Sequence, residues 1–81
     1  MPRYYFDLRK GDQITLDEEG LELSSLERVQ EEAARSLADL ARDNVRRALD
    51  GGGDSVAIDV RDDDGPLLQL KFTLDVRRLR Q

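Results

Sequence analysis

In the stretch SVAIDVRDDDGPLLQLKFTL (55–74), apolar and polar side chains alternate on both sides of an Asp-Gly turn. A period of two is typical of a strand with one buried face, and Asp-Gly between two such runs is a strong hairpin signal. The stretch therefore predicts an antiparallel hairpin. Its apolar face would comprise Val56, Ile58, Val60, Leu68, Leu70, Phe72 and Leu74.

Upstream of this hairpin, residues 24–50 have the spacing of an amphipathic helix. Apolar side chains recur every three or four residues at Leu26, Val29, Ala33, Leu37, Leu40, Ala41 and Ala48. Ser24 with Glu27 fits a capping box, and Ser25 is the alternative cap if the register shifts by one residue. Gly51 suits the C-terminal end, because glycine adopts a positive φ without strain.

The N-terminal stretch RYYFDLRKGDQITL (3–16) predicts a second hairpin around Gly11 and Asp12. Its first strand alternates, with Tyr4, Phe6 and Leu8 on one face and Tyr5, Asp7 and Arg9 on the other. We expect Ile14 and Leu16 to join the apolar face, and the acidic stretch 17–20 to end the hairpin.

Together these elements predict one α+β domain over residues 1–81 with the order ββαββ. Two hairpins would form a four-stranded, mainly antiparallel sheet, and one long helix would cover its apolar face. Residues 75–81 would follow as a basic tail. The alternation leaves the strand order open.

Composition restricts the classes of function. The chain has 81 residues, no cysteine and a net charge of -5, so it has no disulfide to stabilise a small core and repels nucleic acid unless its basic groups cluster. No apolar run approaches the roughly 18 residues of a membrane span. We expect a soluble cytoplasmic protein without a membrane partner.

Three stretches carry a family resemblance: PRYYFDLRKGD (2–12), DEEGLELSSLERVQEEAARSLADLARD (17–43) and VAIDVRDDDGPLLQLKFTL (56–74). They resemble a widespread family of small bacterial proteins of unknown function, common in soil and plant-associated alphaproteobacteria. In that family the position of Asp7 is often His and that of Ser24 often Pro, so this chain lacks the family's one candidate acid-base residue. The resemblance supports the fold and implies no activity.

Catalysis is disfavoured, because the chain lacks the histidine and cysteine of the usual nucleophile-base pairs and transition-metal sites. Its carboxylates are expected in turns or on the polar face of the helix, where water surrounds them. The acidic turns at 17–19 and 62–64 lack the ligand spacing of a calcium loop, and the glycines at 51–53 do not open a helix as a phosphate loop does. We predict a non-enzyme with no catalytic, metal or cofactor residue.

One polar side chain, Asn44, falls within the apolar stripe of the helix. A buried amide there could contact a ligand. We favour an amide bonded to neighbouring backbone, because buried polar groups usually have a partner.

An interaction module remains the favoured class. We predict a homodimer or a complex with another protein, formed through the outward sheet face or by strand addition at a sheet edge. Nucleic-acid binding through the same face and the basic tail is the alternative. The candidate interaction residues are Tyr5, Arg9, Arg61, Leu67, Lys71, Arg77, Arg78 and Arg80.

Overall fold

The computed structural model describes residues 2–51 and 54–80, which form one antiparallel sheet and one long helix. The helix lies on one face of the sheet, as the α+β prediction requires. The elements in chain order are β1 (Arg3–Lys10), β2 (Gln13–Thr15), β3 (Leu21–Glu22), α1 (Leu26–Gly51), β4 (Asp54–Asp62) and β5 (Gly65–Leu74).

The sheet has the order β2-β1-β4-β5, and the short strand β3 also pairs with β1. The first strands of the two hairpins therefore lie side by side, with Phe6 opposite Val60 and Leu8 opposite Ile58. This central pairing is the strand order that the sequence left open. β3 is an additional strand that the ββαββ prediction did not contain.

The core lies between α1 and the β4–β5 hairpin. On α1 the apolar stripe turns Val29, Ala33 and Leu40 toward the sheet, where they meet Val56 and Ile58. Tyr4, Phe6 and Leu8 of β1 pack against the margin of this cluster and are half-buried. The apolar faces predicted for β1, β4 and β5 thus all contribute to one core.

Helix α1 begins one residue later than the favoured capping box implies. The backbone N–H of Arg28 donates to Ser25 Oγ over 3.3 Å, so Ser25 is the N-cap and the alternative register is the observed one. The helix therefore runs from Leu26 to Gly51 instead of 24–50. No helix in the described ranges is apolar enough over its length to cross a membrane.

The placement of Ile14 on the helix-covered face was wrong, whereas Leu16, just beyond the end of β2, lines a groove with Phe6 and Leu8 on the helix side. The two-residue turn at Gly11 and Asp12 pairs Lys10 with Gln13 and Arg9 with Ile14. Cross-strand partners share a face, so Ile14 lies on the outer face with Arg9. Ile14 is 50% exposed and Leu16 62%. The register imposed by the turn overrides the apolar alternation of β2.

Candidate interaction surface on the outer sheet face

The sheet face away from α1, called the outer face below, collects side chains from three strands. The register sets Tyr5 opposite Arg61, Asp7 opposite Asp59, and Arg9 opposite Ala57. On the other side of β4, Asp59 pairs with Gln69 and Ala57 with Lys71. Five of the predicted interaction residues therefore belong to this face: Tyr5, Arg9, Arg61, Leu67 and Lys71.

Arg61 organises one half of the outer face. Its Nε donates to Asp7 Oδ2 over 2.9 Å, and its Nη2 donates to the carbonyl oxygen of Asp17 over 3.0 Å. The guanidinium also lies 4.4 Å from the centroid of the Tyr5 ring, within cation-π range. Asp7 is only 6% exposed. It is therefore a buried carboxylate with a charged partner, contrary to the exposed role expected for it.

Arg9 organises the other half. Its Nε and Nη2 both donate to Asp59 Oδ2, over 3.1 and 3.0 Å. The side-chain amide of Gln69 donates to the other oxygen of Asp59. Two carboxylates directly opposite each other would repel. Asp7 and Asp59 are tolerated as neighbours because each has its own arginine.

These pairings change the electrostatic character of the outer face. Arg9 and Arg61 are neutralised within the chain by Asp59 and Asp7. Among the described residues, Lys71 forms no ion pair, so it is the only cation of this face left for another molecule. The surface is nearly neutral, and its polar groups are held in place.

The acidic stretch 17–20 is hydrogen-bonded to β1 and to Arg61 at one end of the outer face. The Asp17 carboxylate accepts the backbone N–H groups of Phe6 (3.1 Å), Glu19 (3.1 Å) and Gly20 (3.2 Å). Partial burial alone would raise the pKa of Asp17. The three backbone hydrogen bonds and the charge of Arg61 outweigh it and hold the pKa below its ordinary value.

Sequence reasoning treated residues 17–19 as a solvated turn and missed the role of Asp17. An Asp three residues before a Gly is the available signal, because short acidic side chains often bond the backbone just ahead of them. Gly20 has φ +71°, and a Cβ there would lie 2.9 Å from Arg3 Cγ and Tyr5 Cε1. The loop thus packs closely on β1.

A shallow cleft of about 520 Å³ opens on the outer face between β4 and β5. Its walls combine Asp7, Asp59 and Arg61 with apolar side chains. The lining residues are Asp7, Asp59, Val60, Arg61, Pro66, Leu67, Leu68 and Gln69. The charged groups of these walls already have partners within the chain.

The basic tail lies apart from the outer-face cluster. Arg77, Arg78 and Arg80 are exposed and follow the end of β5. Arg77 contacts Asp75 at 3.6 Å, a surface pair of little energetic weight. The structure therefore divides the predicted interaction residues into two separate groups.

The interpretation of Asn44 as a satisfied amide was wrong. Asn44 is 2% exposed, and neither its Oδ1 nor its Nδ2 has a hydrogen-bond partner in the described part of the chain. A buried amide without partners destabilises a fold by about 1–3 kcal/mol. It lies on α1 and takes no part in the outer face.

The acidic turn between β4 and β5 has a local structural role. Asp62 Oδ1 accepts the backbone N–H of Asp64 over 2.9 Å, which closes the turn before Gly65. Over residues 2–51 and 54–80, no three acidic side chains converge as a metal site would require. Calcium independence of this turn stays a prediction.

The fold and the outer face together define the class of protein. It is a small α+β domain in which one helix covers one side of an antiparallel sheet and a network of paired charges occupies the other. The chain belongs to the DUF6894 family, a domain of unknown function, whose family model matches residues 3–73. No curated protein and no solved structure matches the chain significantly.

The family assignment agrees with the resemblance noted from the sequence in one respect, the absence of an assigned function. The bacterial, mainly alphaproteobacterial distribution stays a prediction.

Proposed function

We propose that this protein is a small, non-catalytic protein-interaction or regulatory module that acts in the cytoplasm and self-associates. The outer face carries the proposal, because it is uncovered, nearly neutral and held rigid by paired charges. Such a surface fits another protein, since tyrosine and arginine, both present on it, are enriched at protein interfaces.

Catalysis is disfavoured by the same pairings. The buried carboxylate Asp7 is bonded to Arg61 Nε and to the backbone N–H of Asp17. Asp59 is bonded to Arg9 and Gln69. Both carboxylates serve as partners within the chain, and the sequence has no histidine or cysteine to act beside them as a base or nucleophile.

Nucleic-acid binding is the second candidate, and the exposed tail arginines Arg77, Arg78 and Arg80 favour it. The outer face supports it weakly, since only Tyr5 could stack on a base and Arg61 already covers that ring. The tail would then act as a phosphate contact without base readout.

Light scattering and oligonucleotide anisotropy together test the proposal. We expect a mass about twice the 9.2 kDa of the chain at micromolar concentrations. We also expect no binding of labelled single-stranded or duplex oligonucleotides at moderate salt. Binding that falls steeply with salt, and is lost in Arg77→Gln/Arg78→Gln/Arg80→Gln, would establish the nucleic-acid alternative instead.

A further inference from the structure

We propose that two copies of this chain associate through the free edge of β5 and the adjacent flank of α1. Their β5 strands would pair antiparallel about a two-fold axis and join the two sheets into one. This inference rests on the proposed self-association and places its contact at the sheet edge, which leaves the outer face for a different protein. It does not involve the outer-face cleft.

The free edge of β5 is the first observation. β5 is the last strand in the order β2-β1-β4-β5 and extends over ten residues, Gly65–Leu74. Its pairing with β4 uses one edge, and no strand among the described residues pairs with the other. A long edge strand with unpaired backbone groups is a template for a further strand.

The side chains of β5 that face α1 are the second observation. Leu68, Leu70 and Phe72 pack against the core cluster, yet each is only half-buried. Their cross-strand partners on β4 are almost completely buried: Val60, Ile58 and Val56. The apolar layer therefore continues to the edge of the sheet and ends there without cover.

The flank of α1 above this edge is the third observation. Ser36 lines a groove with Phe6 and Leu8, so its side of the helix faces β1. At 100° per residue, the opposite flank carries Ala34, Ala38, Ala41 and Val45. Ala34 and Ala38 are exposed although they are apolar. Between Ala34 and Val45 this flank is thus small and uncharged, and Glu27 lies on it two turns before Ala34.

The spacing of the elements permits both contacts at once. α1 packs on both β4 and β5, and neighbouring strands lie about 4.8 Å apart. A two-fold axis beside β5 would then place the two helices about 10 Å from each other. This is within the usual range of interaxial distance for packed helices, and alanines allow the closer end of that range.

The area also suffices for a specific dimer. Ten residues of β5 extend over about 33 Å, and one strand with one helix above it is about 15–20 Å tall. The strip therefore covers roughly 500–650 Å² on each copy. The area buried on both copies together reaches the approximately 1,000 Å² that a specific interface requires.

Charge selects the register. With the axis at Leu70, Lys71 lies opposite the partner's Gln69, and Phe72 lies opposite the partner's Leu68. With the axis at Lys71, two ammonium groups would face each other directly, which is unfavourable. We infer a dimer with Leu70 on the two-fold axis, because this register pairs Lys71 with an uncharged amide and Phe72 with Leu68 near the middle of β5.

Sedimentation of matched variants tests the surface. Ala34→Arg/Ala38→Arg should raise the dimer dissociation constant at least about tenfold, because it places two cations on each side of the helix contact. Asp39→Asn/Asp43→Asn is the control, since it changes the charge by the same amount on another part of α1 and should leave association unchanged. Circular dichroism should show equal helix content in both variants.

The outcomes separate this inference from the proposed function. A wild-type dimer that withstands Ala34→Arg/Ala38→Arg and dissociates in Tyr5→Glu would overturn the β5 contact and retain self-association through the outer face. A wild-type chain that stays monomeric at high concentration would overturn both.

Cross-linking tests the register, and the absence of cysteine in the chain makes the test clean. Gln69→Cys and Lys71→Cys proteins, mixed and oxidised, should form a covalent dimer in much higher yield than either protein alone. Opposite residues of paired strands fall within the Cα distance that a disulfide spans. Equal yields from the mixture and the separate proteins would contradict an axis at Leu70.

Discussion

The two edges of the sheet are built in opposite ways. On the β1 side, β3 pairs with Arg3 and Tyr4, and β2 pairs with residues from Leu8 to Lys10. Between these two short pairings, the Asp17 carboxylate accepts the backbone N–H of Phe6. On the β5 side, ten residues have no such cover in the described part of the chain.

Because of this difference, addition of a further strand is hindered on the β1 side of the sheet. The residues from Gln13 to Glu22 close one edge with two short strands and one carboxylate. The outermost strands on the β1 side, β2 and β3, have only three and two residues, so they offer a much shorter template for a further strand than the ten residues of β5. The asymmetry therefore directs association to β5, and the predictions below test each edge.

The largest effect should come from removing the carboxylate at the closed edge. Asp17→Ala deletes the acceptor of three backbone N–H groups and should reduce the free energy of unfolding by about 3 kcal/mol. Denaturant unfolding measures the change. Glu18→Ala, an exposed acid in the same turn, should change it by less than about 0.5 kcal/mol. Equal losses in the two variants would show that Asp17 does not secure this edge.

A smaller loss is expected at Gly20. Alanine there would combine a strained φ of +71° with a Cβ 3.0 Å from the Tyr4 carbonyl oxygen. We expect about 2 kcal/mol of destabilisation, because backbone cannot move as a flexible side chain can. Thermal unfolding of Gly20→Ala beside Glu19→Ala, its exposed neighbour, measures it. An unchanged melting temperature in Gly20→Ala would mean that the loop is not held against β1.

Amide exchange should compare the two edges within one experiment. The Phe6 amide should be protected at every protein concentration, since Asp17 accepts its hydrogen bond. Every second amide of β5 points away from β4 and should gain about tenfold protection as the dimer forms. Hydrogen exchange measured by NMR at low and high protein concentration distinguishes the amides of the two edges. Concentration-independent exchange throughout β5 would remove the edge from the interface.

The smallest effect concerns acid. The pKa of Asp17 is lower in the folded chain than its ordinary value of 3.8, so the unfolded chain binds the proton more readily. The stabilisation is therefore complete above the ordinary pKa and is lost as pH falls through the lower folded pKa. Denaturant unfolding from pH 5 downward should show the gap between wild type and Asp17→Ala narrowing below about pH 4. A gap that stayed constant would exclude this linkage.

Local periodicity was sufficient for most of the fold. Alternation in 55–74 located β4, β5 and their apolar face, and the three- and four-residue spacing located α1. The same patterns placed Tyr5, Arg9, Arg61, Leu67 and Lys71 on a common face. Such patterns are reliable because the side-chain period of a strand or a helix is a property of its own backbone.

Three features of the structure were not predicted from the sequence. Periodicity placed Asn44 on the buried stripe of α1, but the lack of partners for its amide depends on the residues packed around it. Ile14 followed the turn register instead of the apolar pattern. Asp17 bonds Phe6, eleven residues earlier in the chain, and no local pattern indicates that contact.

By itself, the sequence determined the type of each main element, the side chains on each face of β1, α1, β4 and β5, and the ββαββ order. Only the tertiary structure decided that β1 lies beside β4, that Arg61 neutralises Asp7 and Arg9 neutralises Asp59, and that β5 is left as the free edge. The physical reason is the separation along the chain of the residues that interact. Side-chain periods arise between near neighbours in the chain, whereas strand order and charge pairing join residues about fifty positions apart and depend on how the whole core packs.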